Sequence, residues 1–568
     1  MRLSKFGVEV VGVFNPRAIW KQFAFNEKAF FVIEGCLGVR LKPFQSSQTN
    51  VFIEAIHDYS FTTGEKDKIR TFSKSKLLGF LQCPKRLWLE VYSPNLRIDS
   101  SATKNSFSVG HEVGRIARQV YDPEARGVLI DPLVEGFDEA IARTQSLLKL
   151  DNPIFEAGFI SDGAMAFADV MLPAKDMGKP SWRIVEVKSS GSVKEYHHYD
   201  AAIQAFVARE CGVALSSIAI AHINSSWTYT GAGDYAGLLV EQDVTAEAFN
   251  RAEEVRGWIT EAQQIITRQQ EPPIRTGKQC VKPFPCGFFD HCESQEPISA
   301  QPIKWLPGPL GKGLTAYVEA NNINELGEVP DKLLNDKQRR VKTATVSGKP
   351  YYDKIATKEA LSNYKLPAYF LDFETINFPV PIWAGTRPYQ QIPFQYSIHV
   401  LERAYKLEHY QFLDLSGHDP SLGFAESLIS ACGAAGPIFV YNSSFEATRV
   451  RELSYRFPGL AKQLQALNGR MVDLLPLVRR HYYHPNQKGS WSIKAVLPTI
   501  FPDLNYENLS GVQDGGDAMA AFLEATASRT TKTRKAEIEQ QLLAYCALDT
   551  LAMVQLWSSF SDTPIDCL

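Results

Sequence analysis

The spacing of apolar and polar positions changes period repeatedly along this chain, and each change marks an element. From Ser73 a capping serine precedes an apolar stripe at helical spacing, and the Cys83-Pro84 pair breaks that helix and restarts it toward Trp88. Phe107 to Gly114 reads as the opening of another helix, strand patterns cover 153–160, 164–172 and 182–188, and His198, Tyr199 and Gln204 fall on a following helix. Further on, an aromatic and aliphatic run from Pro367 ends in Asp372-Phe-Glu374. Two strand-like runs follow, Phe394 to Leu401 and His409 to Asp414, with a turn-length gap that predicts a meander. Helical spacing over 420–432, a buried-type strand over 437–441 that runs into a helix, and a long helix over 535–557 complete the series. Between the two halves, 320–330 and 332–344 suggest short helices. Ahead of them, 1–68 shows short alternating runs such as Val8 to Phe14 and no visible chemistry.

A chain of 568 residues exceeds one hydrophobic core. The expected division is an N-terminal extension over 1–68, an α/β domain over 69–295, a small helical connector over 296–364 and a second α/β domain over 365–568. An apolar content of 45% and a charged content of 22% describe an ordinary globular protein. The net charge of -3 excludes a general basic coat, so any nucleic-acid path must be a local groove. The sequence has no apolar run of spanning length and no signal-peptide pattern, which gives the expectation of a cytoplasmic protein with no membrane partner. Nine unevenly placed cysteines argue against a secreted disulfide framework.

The acids of the second half carry the first chemistry. Asp372 and Glu374, two apart on a strand, share a face; Glu446 arrives where the strand over 437–441 meets its helix; Tyr545 and Asp549, four apart, share a helix face. The order D-x-E, then Asn442 to Glu446, then Y-x-x-x-D resembles the DnaQ-like, or DEDD, 3'-to-5' exonuclease superfamily in its tyrosine subgroup, over roughly 365–560. The resemblance implies an RNase H-like fold, with Mg2+ or Mn2+ held by Asp372, Glu374, Glu446 and Asp549 and with Tyr545 orienting or deprotonating the attacking water. Glu446 departs from the family's usual aspartate by one methylene, and Asp473 is a reserve candidate. Asn442, Lys488, Trp491 and Lys494 form the expected substrate-binding set, gripping a strand end through phosphate and stacking contacts; Lys494 reads equally as a surface lysine.

Two further sets lie in the first half. Cys280, Cys286 and Cys292, with five residues between neighbours in a Pro- and Gly-containing loop, look like ligands, with Cys83 as the fourth. Four thiolates suit zinc or an iron-sulfur cluster, and the absence of closely spaced C-x-x-C knuckles favours iron and sulfur, as a 4Fe-4S cluster, with Zn2+ as the alternative. Asp169, then Glu186-x-Lys188 on the next strand, is an acid-plus-lysine pattern. With His111 before it, Gln204 after it and the one-plus-three cysteines bracketing it, the stretch resembles RecB-type PD-(D/E)XK nucleases, particularly the iron-sulfur versions of AddB and the CRISPR-associated RecB-like proteins. The resemblance implies a restriction-endonuclease-like fold. It also implies that Asp169 and Glu186 bind the metal, His111 adds or positions a ligand, Lys188 stabilises phosphate charge or guides water, and Gln204 orients the site.

Together these readings predict a two-nuclease, metal-dependent enzyme acting on DNA in repair, recombination or defence. The alternatives are an RNA-processing exonuclease, or a nucleic-acid binding or assembly protein whose sites have decayed. The sequence shows no helicase P-loop, so unwinding would need a helicase or repair partner. The connector's basic run Lys337, Arg339, Arg340 and Lys342 either lines a nucleic-acid path or is a solvated helix face.

Overall fold

A computed structural model describes residues 70–565 apart from 404–405, 505 and 507–508, together with four short strands within residues 1–33. The chain divides into two compact units, 1–68 and 69–568. In the first unit Arg2–Leu3 pairs with Val8–Glu9 and Trp20–Phe25 with Lys28–Ile33. The rest of the expected N-terminal extension lies outside the described residues.

In the second unit the Ser73 hydroxyl accepts from Lys76 N and starts α1 (Lys74–Gln82). Cys83 turns to an extended backbone, and Pro84 takes the first position of α2 (Pro84–Tyr92), where its missing N–H costs nothing. Phe107 to Gly114 does not open a helix. It lies in the middle of α3 (Ser101–Tyr121), whose cap is Ser100, accepting from Thr103 N at 3.2 Å. The polar first turn of α3 hides that start from an apolar-periodicity reading. The antiparallel strands β1 (Ile154–Ser161), β2 (Ala164–Asp176) and β3 (Lys179–Lys188) follow. The chain then crosses through α4 (Glu195–Glu210) to β4 (Leu215–Ile223), which is parallel to β3. With β5 (Leu239–Asp243) and two two-residue strands these make a seven-stranded mixed sheet. The apolar face of α4 packs on it to form the main core, with Ile184, Ala201, Ile203 and Ile220 fully buried.

The second sheet has the order third, second, first, fourth, fifth. β6 (Ala368–Ile376), β7 (Ile392–Leu401) and β8 (Leu407–Leu413) form the antiparallel meander. β9 (Ile438–Val440) and β10 (Met471–Asp473) add in parallel on the far side of β6. All ten residues of β7 are buried, because α6 (Ser421–Ala431) covers one face and α11 (Lys532–Ser561) the other. The burial includes the alternating Gln395, Ser397 and His399, whose side chains hydrogen-bond to α11. Further helices include α5 (Asp336–Ser347) in the connector, α7 (Ser444–Arg456), α8 (Leu474–His481), α9 (Ile493–Ile500) and α10 (Gly515–Thr526).

The connector is not a spacer. Its Leu306, Leu326, Leu334, Val341 and Leu361 belong to the same buried cluster as Phe370 and Phe439 of the second sheet and Trp557 of α11. The two halves also touch directly: Tyr229 N donates to Thr386 O and Gly385 N to Tyr229 O, at 3.0 and 2.8 Å, and Val380 packs with Val113 and Ile116. Among the described residues no helix is long and apolar enough to cross a membrane.

Candidate functional site

The alternation of β6 puts Asp372 and Glu374 on one side of the strand, facing α11. There Tyr545 and Asp549 stand one turn apart. Carboxylate oxygens of Asp372, Glu374 and Asp549 all lie within 4.8 Å of one another. Glu446, in the first turn of α7, lines the same cleft, and its Oε2 is buried without a hydrogen-bond partner among the described residues. The turn that delivers it is fixed by Asp473, which accepts from Asn442 N and Ser443 N, each at 3.0 Å, and from Leu475 N at 2.9 Å. Asp473 is therefore a brace. It holds Asn442 at a φ of +80° and caps α8, with its oxygens committed to backbone donors.

Four buried carboxylates repel one another and lack water to spread their charge. Burial first, then the charges of Asp549, Glu374 and Glu446, pushes Asp372 well above the carboxylate range. Glu374 rises to about 8 from burial and Asp549, against the pull of Lys494, and Glu446 rises to about 8 from burial. Asp549 rises to about 6 because burial outweighs hydrogen bonds from Tyr506 and Tyr545 and the nearby Lys494. The Tyr506 hydroxyl donates to Asp549 Oδ1 at 2.5 Å. Lys494 stands with Nζ 4.7 Å from the Tyr545 ring centre and 5.3 Å from that of Tyr506, so it belongs to the cluster and not to the open surface.

The cleft above these acids has a volume of about 760 Å³. Trp491 lines it as part of the wall: it is 5% exposed, its Nε1 donates to Tyr482 O at 2.9 Å, and its ring sits 5.3 Å from that of Tyr483. Lys488 is exposed in a left-handed turn and is not among the lining residues.

In the first half, antiparallel pairing of β2 with β3 brings Asp169 next to Glu186, and Asp169 Oδ2 accepts from Val187 N at 2.7 Å. Glu186 Oε1 accepts from Lys188 Nζ at 2.6 Å, while Gln204 donates to Glu186 Oε2. Two residues absent from the sequence reading complete the cluster. Lys74 Nζ donates to Glu186 Oε1 at 2.8 Å and sits 3.1 Å from Asp200 Oδ1; Asp200 also pairs with Lys188. Although burial alone would lower it, the carboxylates of Asp200, Glu186 and Asp169 raise Lys74 well above its usual value. Burial with the Asp169 and Asp200 charges lifts Glu186 to about 7. Glu156, at a φ of +58° where β1 and β2 miss one pairing without a change of register, is a further acid of this neighbourhood and interacts electrostatically with Lys74 and Glu186. His111 is exposed on α3 and is not among the groups that hydrogen-bond Asp169 or Glu186.

Cys83, Cys280, Cys286 and Cys292 line one small cavity, although 197 residues separate the first two. Gln82 Nε2 draws the loop in, donating to Gln279 O at 2.6 Å and Phe284 O at 2.7 Å, while Arg86 lies 5.0 Å above the Phe284 ring. Among the described residues no three of these sulfurs lie within 4.8 Å of one another. Every trio therefore contains a pair farther apart than the roughly 3.8 Å that a tetrahedral zinc tetrathiolate sets.

Sequence order alone could flag Asp372, Glu374, Glu446 and Asp549. Lys74 lies 112 residues from Glu186, and Tyr506 lies 43 from Asp549, in stretches with no motif to mark them. Residues 369–492 match a family model described as a domain of unknown function, DUF2779. That segment contains Asp372, Glu374 and Glu446 and stops short of Lys494, Tyr545 and Asp549. No curated protein matches the chain.

Proposed function

We propose that this protein is a divalent-metal-dependent phosphodiester hydrolase acting on nucleic acid, with DNA as the favoured substrate and the second sheet as its chemical centre. The observation that carries the reading is the convergence of Asp372, Glu374 and Asp549, with Glu446 buried and unpartnered beside them, at the floor of an open cleft. Hard oxygen donors concentrated against one lysine fit Mg2+ or Mn2+. Asp372, Glu374, Asp549 and Glu446 would hold the ions, which when bound supply Lewis-acid polarisation of the phosphoryl group and activation of water. The chain's own part is positional. Tyr545, hydrogen-bonded to Asp549 and under the Lys494 ammonium, directs a hydroxyl into the cleft to orient the attacking water. Lys494 offsets negative charge as the phosphorane forms.

The sheet order and the order of acids support a DEDD exonuclease of RNase H-like fold. The crossover from β3 through α4 to β4, with Asp169, Glu186, Lys188 and Gln204 converging on it, supports a RecB-type PD-(D/E)XK domain. In that domain Lys74 and Lys188 occupy the carboxylates, an observation that favours a second reading for this half alone: it binds nucleic acid and does not cut it. The thiol spacing supports an iron-sulfur cluster over zinc as the fastening of this half.

The test is magnesium- or manganese-dependent degradation of 5'-labelled DNA and RNA oligonucleotides by the whole chain. Asp372→Ala is expected to lower the rate by 10³-fold or more, about the 4 kcal/mol that a lost transition-state contact costs. Undiminished degradation by that variant would sink the assignment. Loss of a separate activity in Glu186→Ala would favour two working sites over the binding-only reading.

A further inference from the structure

The cleft has two walls, and one of them is built by the connector. Gly489, at a φ of +82°, lies so close to Trp305 that a Cβ there would stand 1.9 Å from the Trp305 carbonyl oxygen. Gln338 Nε2 donates to Pro307 O at 3.3 Å, and Thr345 Oγ1 meets the buried Tyr483 hydroxyl at 3.3 Å. These contacts lock α5 and the chain before it against the loop that carries Trp491, and they bring Pro307, Gly308 and Lys337 into the lining.

The connector's basic run is then sorted by contact. Arg339 pairs with Asp336 at 3.0 Å and donates to Leu334 O. Arg340 lies 4.3 Å above the Tyr351 ring and donates to Arg479 O, while Lys342 is taken by Val329 O and Asp331, each at 2.6 Å. Lys337 alone of the four reaches the cleft, where its Nζ is 6.0 Å from the Trp491 ring centre. Arg479, at the end of α8, is the other exposed cation of the lining. Among the described residues neither side chain forms a salt bridge. The acids beneath are recessed, with Glu374 7%, Asp549 6% and Glu446 2% exposed.

We infer that Lys337 and Arg479 form a phosphate track for a nucleic-acid strand whose scissile phosphodiester lies over the acid cluster, making the connector part of the substrate-binding surface. This rests on the hydrolase reading. Cations without a carboxylate partner on one wall of a cleft with acids at its floor match a polyanion whose backbone runs along the wall and whose scissile group meets metal below.

Binding of a fluorescent single-stranded oligonucleotide is measured across a salt series in the Asp372→Asn background, which removes degradation. Adding Lys337→Ala and Arg479→Ala is expected to weaken binding at least about fivefold and to flatten the log–log salt slope by about 1.4, two phosphates' worth for a single strand. Lys337→Arg retains the track, and Arg339→Ala, which removes a cation from the same helix outside the cleft, leaves the slope unchanged. In the parent protein, the double substitution raises KM for the oligonucleotide more than it lowers kcat, and the p-nitrophenyl ester of thymidine 5'-monophosphate reports metal-dependent hydrolysis itself. Unaltered oligonucleotide affinity and slope in the double variant, or an equal loss from Arg339→Ala, overturns the track. Absence of metal-dependent ester hydrolysis by the parent protein overturns the hydrolase reading, and the binding series still decides the track.

Discussion

Glu374 and Glu446 each reach about 8 because burial and like charges disfavour their ionised forms, so protons compete with metal for the same oxygens. Mn2+ affinity is therefore expected to climb from pH 6 to about pH 8.5 and then level off, as read by titration calorimetry. A flat profile would show that these carboxyls are not the ligands. The same shifts set stability. A raised carboxyl pKa leaves the folded chain holding protons that the unfolded chain has released, so the metal-free protein loses stability as pH rises from about 4.3, the unfolded value, through the folded value near 8. Asp372→Asn removes the repulsion without changing shape, and at pH 8 it should raise the melting temperature of the metal-free protein by about 2–4 °C, for roughly 1 kcal/mol, while abolishing activity. At this scale the sequence exposed acids that recur in a fixed order. It hid those whose role depends on distant partners: Asp473, only a reserve candidate in the sequence, serves as a brace, whereas Lys74 and Tyr506 carry no local mark.

Period-two and period-3.6 patterning located the meander, the sheet strands and the long last helix, although β7 is buried on both faces. The connector escaped that reading. Its short turns present single apolar residues, Leu306, Leu326 and Val341, that gain meaning only against Phe370 and Phe439 of the second sheet. α3 was misplaced at its start for the related reason that its first turn is polar. Because Gly489 is the point where the connector and the loop that carries Trp491 touch backbone to backbone, Gly489→Ala faces both a left-handed φ and a clash with Trp305 O. The substitution is expected to cost about 2 kcal/mol or more of stability in a denaturant melt and to raise KM for oligonucleotides more than it lowers kcat on a nitrophenyl ester. Equal stability and unchanged KM would mean that the connector wall does not matter to binding.

Across the whole molecule, two acid clusters sit on two sheets and differ in what balances their charge. The first-half cluster carries its own counter-ions in Lys74 and Lys188, while the second-half cluster has four carboxylates against Lys494. Cys83, between α1 and α2, shares one cavity with the cysteines of the loop over 280–292; on the proposed iron-sulfur reading, Cys83→Ser should lower the iron and sulfide content, measured by colorimetric assay, and the melting temperature of the first half. Hydrolysis at the second sheet should persist. Each acid set was legible within its own stretch of chain, and the two lie on separate sheets. The contact between the halves through Tyr229 and Thr386 was not, since nothing local in either loop announces the other. The claim beneath all of this is that the second cluster is the divalent-metal centre. Counting bound Mn2+ by electron paramagnetic resonance at pH 8 tests it most directly. The parent chain and Glu186→Gln should retain the tight Mn2+ that Asp372→Asn and Asp549→Asn lose, and equal tight binding in all four proteins would contradict it.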